Sequence, residues 1–407
     1  MPRSIPFMAS SDRAEGFSPE LRASLFHFTV FASTGAASAY LAIWLSGKGL
    51  SSEQIGVVNA LPVLLMLFVT MLIGRLADRA SDWRVAIIIL ALIAGVAPIG
   101  FFFVNEFWGL LLVFTLSTLP SGALVPVIDA ATLRMTQRRG TDFGSVRAWG
   151  TVGYMVTAAL TGVLIGWLGA VAFVPIFVVL SLLRSGLAFP LPQFRAPPAI
   201  DAPVRKRDGA KLKALMKPWF LLPCIAFALI QATHFFLGAM GALVWKIDGI
   251  PEGWIGPLIA ISAAGEALMM FFWRRVGGHL SARMMLIIAG VVGCVRWGLM
   301  ALNPALPLLI VLQALHAITL PFSYFGMMLF IANWAPEEIA AEAQGFSAAL
   351  TQGFAVVTLL AFGWLIGIMG GQAYFVAAAM ALAGAGAAWW SLLLKPAHSR
   401  DEGLAHA

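Results

Sequence analysis

RVAIIILALIAGVAPIGFFFV, residues 84–104, decides the fold. After Arg84 it carries no charge to its end, and at about 1.5 Å of rise per residue it is long enough as a helix to cross the roughly 30 Å hydrocarbon core of a bilayer. Runs of the same kind recur near 23–46, 54–74, 107–133, 144–168, 170–190, 218–245, 253–273, 282–301, 304–333, 343–368 and 371–394. Membrane-spanning strands would instead show segments of about ten residues alternating in polarity, and these runs are continuously apolar. The composition agrees: 60% of the chain is apolar and 11% charged, against about 25% charged in a soluble domain. The expectation is an all-α polytopic membrane protein with about twelve transmembrane helices.

The longest polar, basic and proline-bearing stretch, 191–217, leaves six runs on either side. The predicted organisation is therefore a tail at 1–22, a six-helix half at 23–190, a central loop at 191–217, a second half at 218–395 and a tail at 396–407. With the N-terminus in the cytosol, the cytosolic segments hold Arg75, Arg79, Arg134, Arg138, Arg139, Arg205, Lys206, Arg207, Lys211, Lys213, Lys217, Arg274, Arg275 and Arg283, among others, while the opposite face holds only Lys48 and Lys246. Basic residues mark the cytosolic side, so both termini are expected inside, at the inner membrane of a bacterium. The net charge of +7 is this topological bias and not a nucleic-acid signal. The N-terminal tail has no apolar core or cleavage site of a signal peptide; Ser18-Pro19-Glu20 reads as a cap, a first-turn proline and a first-turn acid opening the first span. Cys224 and Cys294 fall in spans as packing residues, with no spacing that suggests a disulfide or metal.

Within the apolar runs stand Asp129, Arg147, Glu266, Arg296 and His316. A charge at the bilayer centre costs roughly 2.5–3.5 kcal/mol even on lenient scales, so such residues mark ion or solute pathways. Arg296, well inside the ninth span, calls for a carboxylate partner, and Glu266 in the eighth is the acid deep in the second half. Either the pair is a static tie between helices or Glu266 takes and releases a proton, with His316 positioning one of the two. Asp129 and Arg147 fall in the fourth and fifth spans, and Tyr154 lies two turns beyond Arg147 on the same face. They form either a salt bridge closing the inner end or one wall of a cavity. Gln231 and His234, three apart on the seventh span, either bind solute or join helices. Phe235, Phe236, Trp245, Phe322 and Tyr324 are candidates for an aromatic wall, and Gly162 and Gly166 for a close helix contact.

Gly74-Arg75-Leu76-Ala77-Asp78-Arg79 after the second span resembles the cytosolic signature of the major facilitator superfamily. On that likeness Gly74, Asp78 and Arg79 form a cytosolic gate. The set Asp129, Arg147, Tyr154, Glu266, Arg296 and His316 resembles the lactose permease group of proton symporters. VRAWGTVGY at 146–154, LIQATH at 229–234, GCVRWG at 293–298 and QALH at 313–316 are similar to its phenylpropionate permease branch. The resemblance implies two rocking halves with a solute site near the midplane. It assigns Asp129, Arg147 and Tyr154, with Gln231 and His234, to solute, and Glu266, Arg296 and His316, with Asp129, to proton coupling. The chain departs from the pattern at Thr319, where the sugar permeases carry an acid one turn after the histidine.

The expected function is proton-coupled uptake of a small organic solute, 3-phenylpropionate or a related aromatic acid, by a monomer that needs no cofactor. For such an acid Arg147 or Arg296 is the natural counter-ion. Alternatives are symport of a sugar or nucleoside, and proton-driven efflux. The chain has no GxxxxGK[ST] loop for ATP-driven transport. It also lacks, at depth, the nucleophile or metal spacing that a membrane-embedded enzyme requires.

Overall fold

The computed structural model describes residues 17–79, 82–194, 215–276, 279–336 and 339–394. Among the described residues eleven helical stretches are long and apolar enough to cross a membrane. The last of these, Glu342–Leu393, turns at Gly370, whose φ of 54° suits a residue without a side chain, and divides into two membrane-length helices. The described residues thus make twelve crossings: α1 (Pro19–Gly47), α2 (Ser52–Arg79), α3 (Trp83–Phe102), α4 (Phe107–Arg139), α5 (Phe143–Leu168), α6 (Ala170–Ala188), α7 (Pro218–Ile247), α8 (Glu252–Val276), α9 (Ala282–Met300), α10 (Leu306–Trp334), α11 (Ala340–Met369) and α12 (Tyr374–Leu393). Large apolar side chains such as Phe271, Trp167 and Val357 point outward from the bundle, as a protein solvated by lipid requires. An even number of crossings puts the start of α1 and the end of α12 on one face, called here the terminal face.

Local signals fix several ends. Ser18 caps α1 by accepting from Leu21 N at 3.2 Å, with Pro19 in the first turn. Asp142 caps α5 through Ser145 N at 2.6 Å, and α4 stops at Gly140, which takes the left-handed conformation. Two helices depart from regularity at depth. A single π-turn, Leu237–Gly241, interrupts α7, and α10 is broken at Leu315. Such irregular backbone is tolerated in a membrane where it is buried in protein.

Helix packing repeats with a shift of six. In the first half α1 packs on α5 and α6, α3 on α4 and α6, and α2 on α4; α7 likewise packs on α11 and α12, α9 on α10 and α12, and α8 on α10. The halves meet along α5 with α8 and α2 with α11, two seams that exchange under the same shift. Both seams are close backbone contacts. A β-carbon at Gly256 of α8 would overlap the Ala158 carbonyl oxygen and sit 2.9 Å from Gly162 Cα, while one at Gly363 of α11 would sit 2.9 Å from Ser52 O and 3.1 Å from Gly56 Cα. The close contact expected of Gly162 and Gly166 is therefore between halves, against Gly256 and Gly253. All these glycines lie toward the face opposite the termini, where the Tyr40 hydroxyl also donates to the Glu252 carbonyl.

Arg283 departs from its sequence expectation. Counted with the loops, it lies in the first turn of α9, fully buried, with Nε donating to Ser391 Oγ at 2.7 Å and the guanidinium over the rings of Phe330 and Trp334. The helix starts at Ala282, where the span is predicted to start, and folds the side chain inward. Gly74, Asp78 and Arg79 belong to the last turns of α2, whose side chains lie outside the described residues.

The seam generates a prediction. Gly256→Leu forces α8 away from α5, so in a protein lacking Cys224 and Cys294 a cysteine at Tyr40 should react with a membrane-impermeant maleimide faster than when Gly256 is intact. An unchanged labelling rate would show that the seam does not govern closure of that face.

Candidate functional site

A cavity of about 790 Å³ lies between the halves, within the range of small-molecule sites. Its walls come from α1, α2, α4, α5, α6, α7, α10 and α11, and it is largely apolar, with the rings of Phe31, Phe114, Tyr154, Phe177 and Phe235 among its lining. Among the described residues one charged side chain lines it, Arg184 of α6. The Tyr154 hydroxyl is 2.9 Å from Ser38 Oγ, fixing the ring against α1. Gln231 donates to Ser323 Oγ at 3.2 Å, and His234 accepts at Nε2 from Thr319 Oγ1 at 2.9 Å while Nδ1 donates to Ile230 O. Both α7 side chains therefore line the cavity and join α7 to α10 at once, the helix-joining contact of the two readings. The π-turn that follows directly places Gly238 and Ala239 in the same wall.

Asp129 and Arg147 do not line the cavity. They form a layer beside it, toward the terminal face, in which Arg147 Nε is 3.0 Å from Asp129 Oδ1 and the guanidinium lies 4.3 Å over Phe31. His27 of α1, fully buried, completes the group: Nδ1 is 3.8 Å from Asp129 Oδ1, and Nε2 is 3.2 Å from Thr132 Oγ1. Arg147 and Tyr154 are also within electrostatic reach of Glu266 across the gap between the halves.

In the second half the guanidinium of Arg296 is fully buried and among the described residues meets no carboxylate directly. Nε donates to Leu312 O at 2.7 Å, beside the break in α10; Nη2 donates to Gln313 Oε1 at 3.0 Å, and Nη1 to His316 Nδ1 at 3.3 Å and Thr319 Oγ1 at 3.4 Å. Its face covers Trp297. Gln313 Oε1 also accepts from Ser262 Oγ at 2.6 Å, which ties α8 to α10. Glu266 lies beyond His316, whose Nε2 is 3.8 Å from Glu266 Oε2. The expected Glu266–Arg296 ion pair is thus replaced by an Arg296–His316–Glu266 chain, because Glu266 sits nearer the terminal face than a guanidinium held by the Leu312 carbonyl can reach. The Thr319 hydroxyl bridges Arg296 and His234 without adding charge.

The sequence reading passed over Arg184 and His27. Arg184 is 1% exposed, and its Nη1 donates to Ser33 Oγ at 3.1 Å and Ser121 Oγ at 2.7 Å. It stands one turn from the end of α6, the usual place of an interfacial anchor. A helical side chain leans toward its helix N-terminus, however, and carries this guanidinium inward to Ser33 and Ser121, near the midpoints of α1 and α4. Of the five aromatics proposed as a wall, Phe235 lines the cavity. Phe236 packs on Phe362 and Tyr374, Trp245 is buried in the core, and Phe322 and Tyr324 are not in the lining.

The model of the MFS_1 like family matches residues 21–381. A protein of Escherichia coli named "Probable 3-phenylpropionic acid transporter" is 30% identical over 88% of this chain and 94% of its own length, and the maltose permease of Geobacillus stearothermophilus is 26% identical over 85% and 86%. The crystal structure of the nucleoside transporter NupG superposes with a TM-score of 0.78 over 93% of this chain and all of that one, at 19% identity. The likeness to NupG shows the fold; the family match and the sequence relatives show that this chain belongs to the MFS_1-like family of the major facilitator superfamily, multi-pass secondary transporters of small solutes.

Proposed function

We propose that this protein is a proton symporter that takes up an aromatic carboxylate, 3-phenylpropionate or a close relative, across the bacterial inner membrane. The observation that carries the reading is a layer of ionisable side chains distributed over both halves. Asp129 and Arg147 stand on α4 and α5, Glu266 and His316 on α8 and α10, and Arg147 feels the fields of both carboxylates. The aromatic lining of the adjacent cavity and the name of the Escherichia coli relative support the substrate class.

In this reading the halves 23–190 and 218–395 tilt about the cavity. The terminal face, rich in arginine, is cytosolic, so the glycine seams close the periplasmic side and the conformation faces inward. Gly74, Asp78 and Arg79 belong to the cytosolic closure. Glu266 carries the proton. When it is ionised, it attracts Arg147 across the gap and opposes separation of the halves on the cytosolic side. When it is protonated, Arg147 relaxes onto Asp129, and the halves are free to part. Arg296, His316 and Thr319 hold Glu266 in place and set how readily it gives up its proton. Asp129 keeps Arg147 compensated in both states, and Tyr154, Gln231 and His234 offer hydroxyl, amide and imidazole groups to the solute.

Uptake of labelled 3-phenylpropionate into energised cells tests the reading. Accumulation should be abolished by a protonophore and competed by aromatic acids. Competition by sugars or nucleosides instead would move the substrate, and exclusion that depends on the proton gradient would reverse the direction. Glu266→Gln should eliminate accumulation against a gradient while counterflow exchange of labelled for unlabelled solute persists; proton-driven accumulation by that variant would remove Glu266 from the coupling role. Asp129→Asn leaves Arg147 without its ion-pair partner, so it should weaken transport at every pH without displacing the pH profile. A displaced profile would make Asp129 the proton carrier.

A further inference from the structure

Three arginines lie in the membrane interior near the cavity, and their electrostatic situations differ. Arg147 is compensated by Asp129 at 3.0 Å. Arg296 has no acid against it but directs donors to four neutral acceptors and stands outside the cavity lining. Arg184 lines the cavity, is 1% exposed, and among the described residues is met only by two serine hydroxyls, both on Nη1. Its Nε and Nη2 are buried and make no hydrogen bond, and no carboxylate among the described residues pairs with it. A guanidinium with buried, unspent donors in a low-dielectric wall is costly unless it serves something that arrives. Nε–H and the adjacent Nη2–H form the planar side-on fork that matches the two oxygens of a carboxylate.

The surrounding wall extends that chemistry. Phe177 stands seven residues before Arg184 on α6, and Phe114 seven before Ser121 on α4. Seven residues are two turns, so on each helix the ring and the polar group share a face, about 10 Å apart along the axis. α4 and α6 run in the same direction, so both rings lie on the same side of the guanidinium, away from the terminal face. Because the arginine leans toward its own helix N-terminus, the gap between guanidinium and rings is shorter than the backbone spacing. From the geometry we infer that Arg184, held by Ser33 and Ser121, is the anchor for the carboxylate of the transported acid, whose aromatic end lies between Phe114 and Phe177. This rests on the aromatic-acid reading given above and moves the counter-ion from Arg147 or Arg296 to a residue of α6.

Binding to the purified full-length protein tests this, with 3-phenylpropionate and its neutral amide as probes, followed by tryptophan fluorescence alongside a thermal melt. The wild type should prefer the acid by about tenfold or more, as a charge-assisted pair in a dry wall requires. Arg184→Gln should lose that preference while binding the amide as before, and Arg184→Lys should keep part of it by retaining the charge without the fork. Ser121→Asp gives an independent check that does not remove the buried arginine. It sets a carboxylate beside Nη1 and should abolish the acid preference with no loss of melting temperature. Retention of the wild-type preference in a folded Arg184→Gln or in Ser121→Asp overturns the anchor while leaving the aromatic-acid reading intact. A wild type that shows no preference for the acid, or binds maltose or uridine in its place, overturns both.

Discussion

Burying charge in hydrocarbon is the constraint on which the rest of this structure depends. Each ionised side chain in the membrane interior needs a partner, and the partners determine how the helices sit. Asp129 brings α4 to Arg147 of α5, with His27 of α1 completing the group. Arg296 of α9 takes the Leu312 carbonyl at the break in α10, together with Gln313, His316 and Thr319 of that helix. Through Gln313 the same cluster reaches Ser262 of α8. Removing one partner from such a cluster leaves a buried charge uncompensated, a loss of roughly 3–5 kcal/mol. The polar clusters are therefore concentrated within the halves, and the seams between them have a different character.

Those seams are made of glycine. Gly162 against Gly256 and Gly56 against Gly363 let backbones touch, with apolar side chains such as Ala60, Val356 and Leu359 packed beside them. In lipid there is no hydrophobic drive between helices, so van der Waals contact of flat surfaces supplies the adhesion, and flat surfaces part without breaking a network. Strong polar ties inside each half and smooth contact between halves suit a body that holds its internal geometry while the interface opens.

The spans were legible because a run of apolar residues of membrane length, polar on no face, is a helix that only lipid and other helices can surround. Asp129 with Arg147 was legible because consecutive helices joined by a short turn must be neighbours. What a sequence lacks is azimuth: it gives the depth of a residue along its helix but not the face it presents, nor how far a long side chain travels from its Cα. Arg184 was missed for the second reason, its Cα being near the membrane surface and its guanidinium at mid-depth. Glu266 and Arg296 do not meet because they differ in depth, and His316 stands between them. Phe236, Phe322 and Tyr324 likewise share composition with the cavity wall but not its direction. Arg283 shows that a basic residue at a correctly placed span end can still fold inward when a buried serine acceptor waits there.

Charge balance in the interior gives Thr319 a consequence beyond its hydrogen bonds. With the histidines neutral and both acids ionised, Arg147, Arg184 and Arg296 stand around the cavity with Asp129 and Glu266, three guanidiniums against two carboxylates among the described residues. An acid at 319, as the sugar permeases have, would even that count and leave the site suited to a neutral solute. The threonine leaves it one positive charge in excess, and a desolvated excess charge is relieved most effectively by an anion that enters with the solute. The same substitution removes one candidate proton site. On the aromatic-acid reading proposed above, the solute supplies the negative charge that an acid at 319 would otherwise bring.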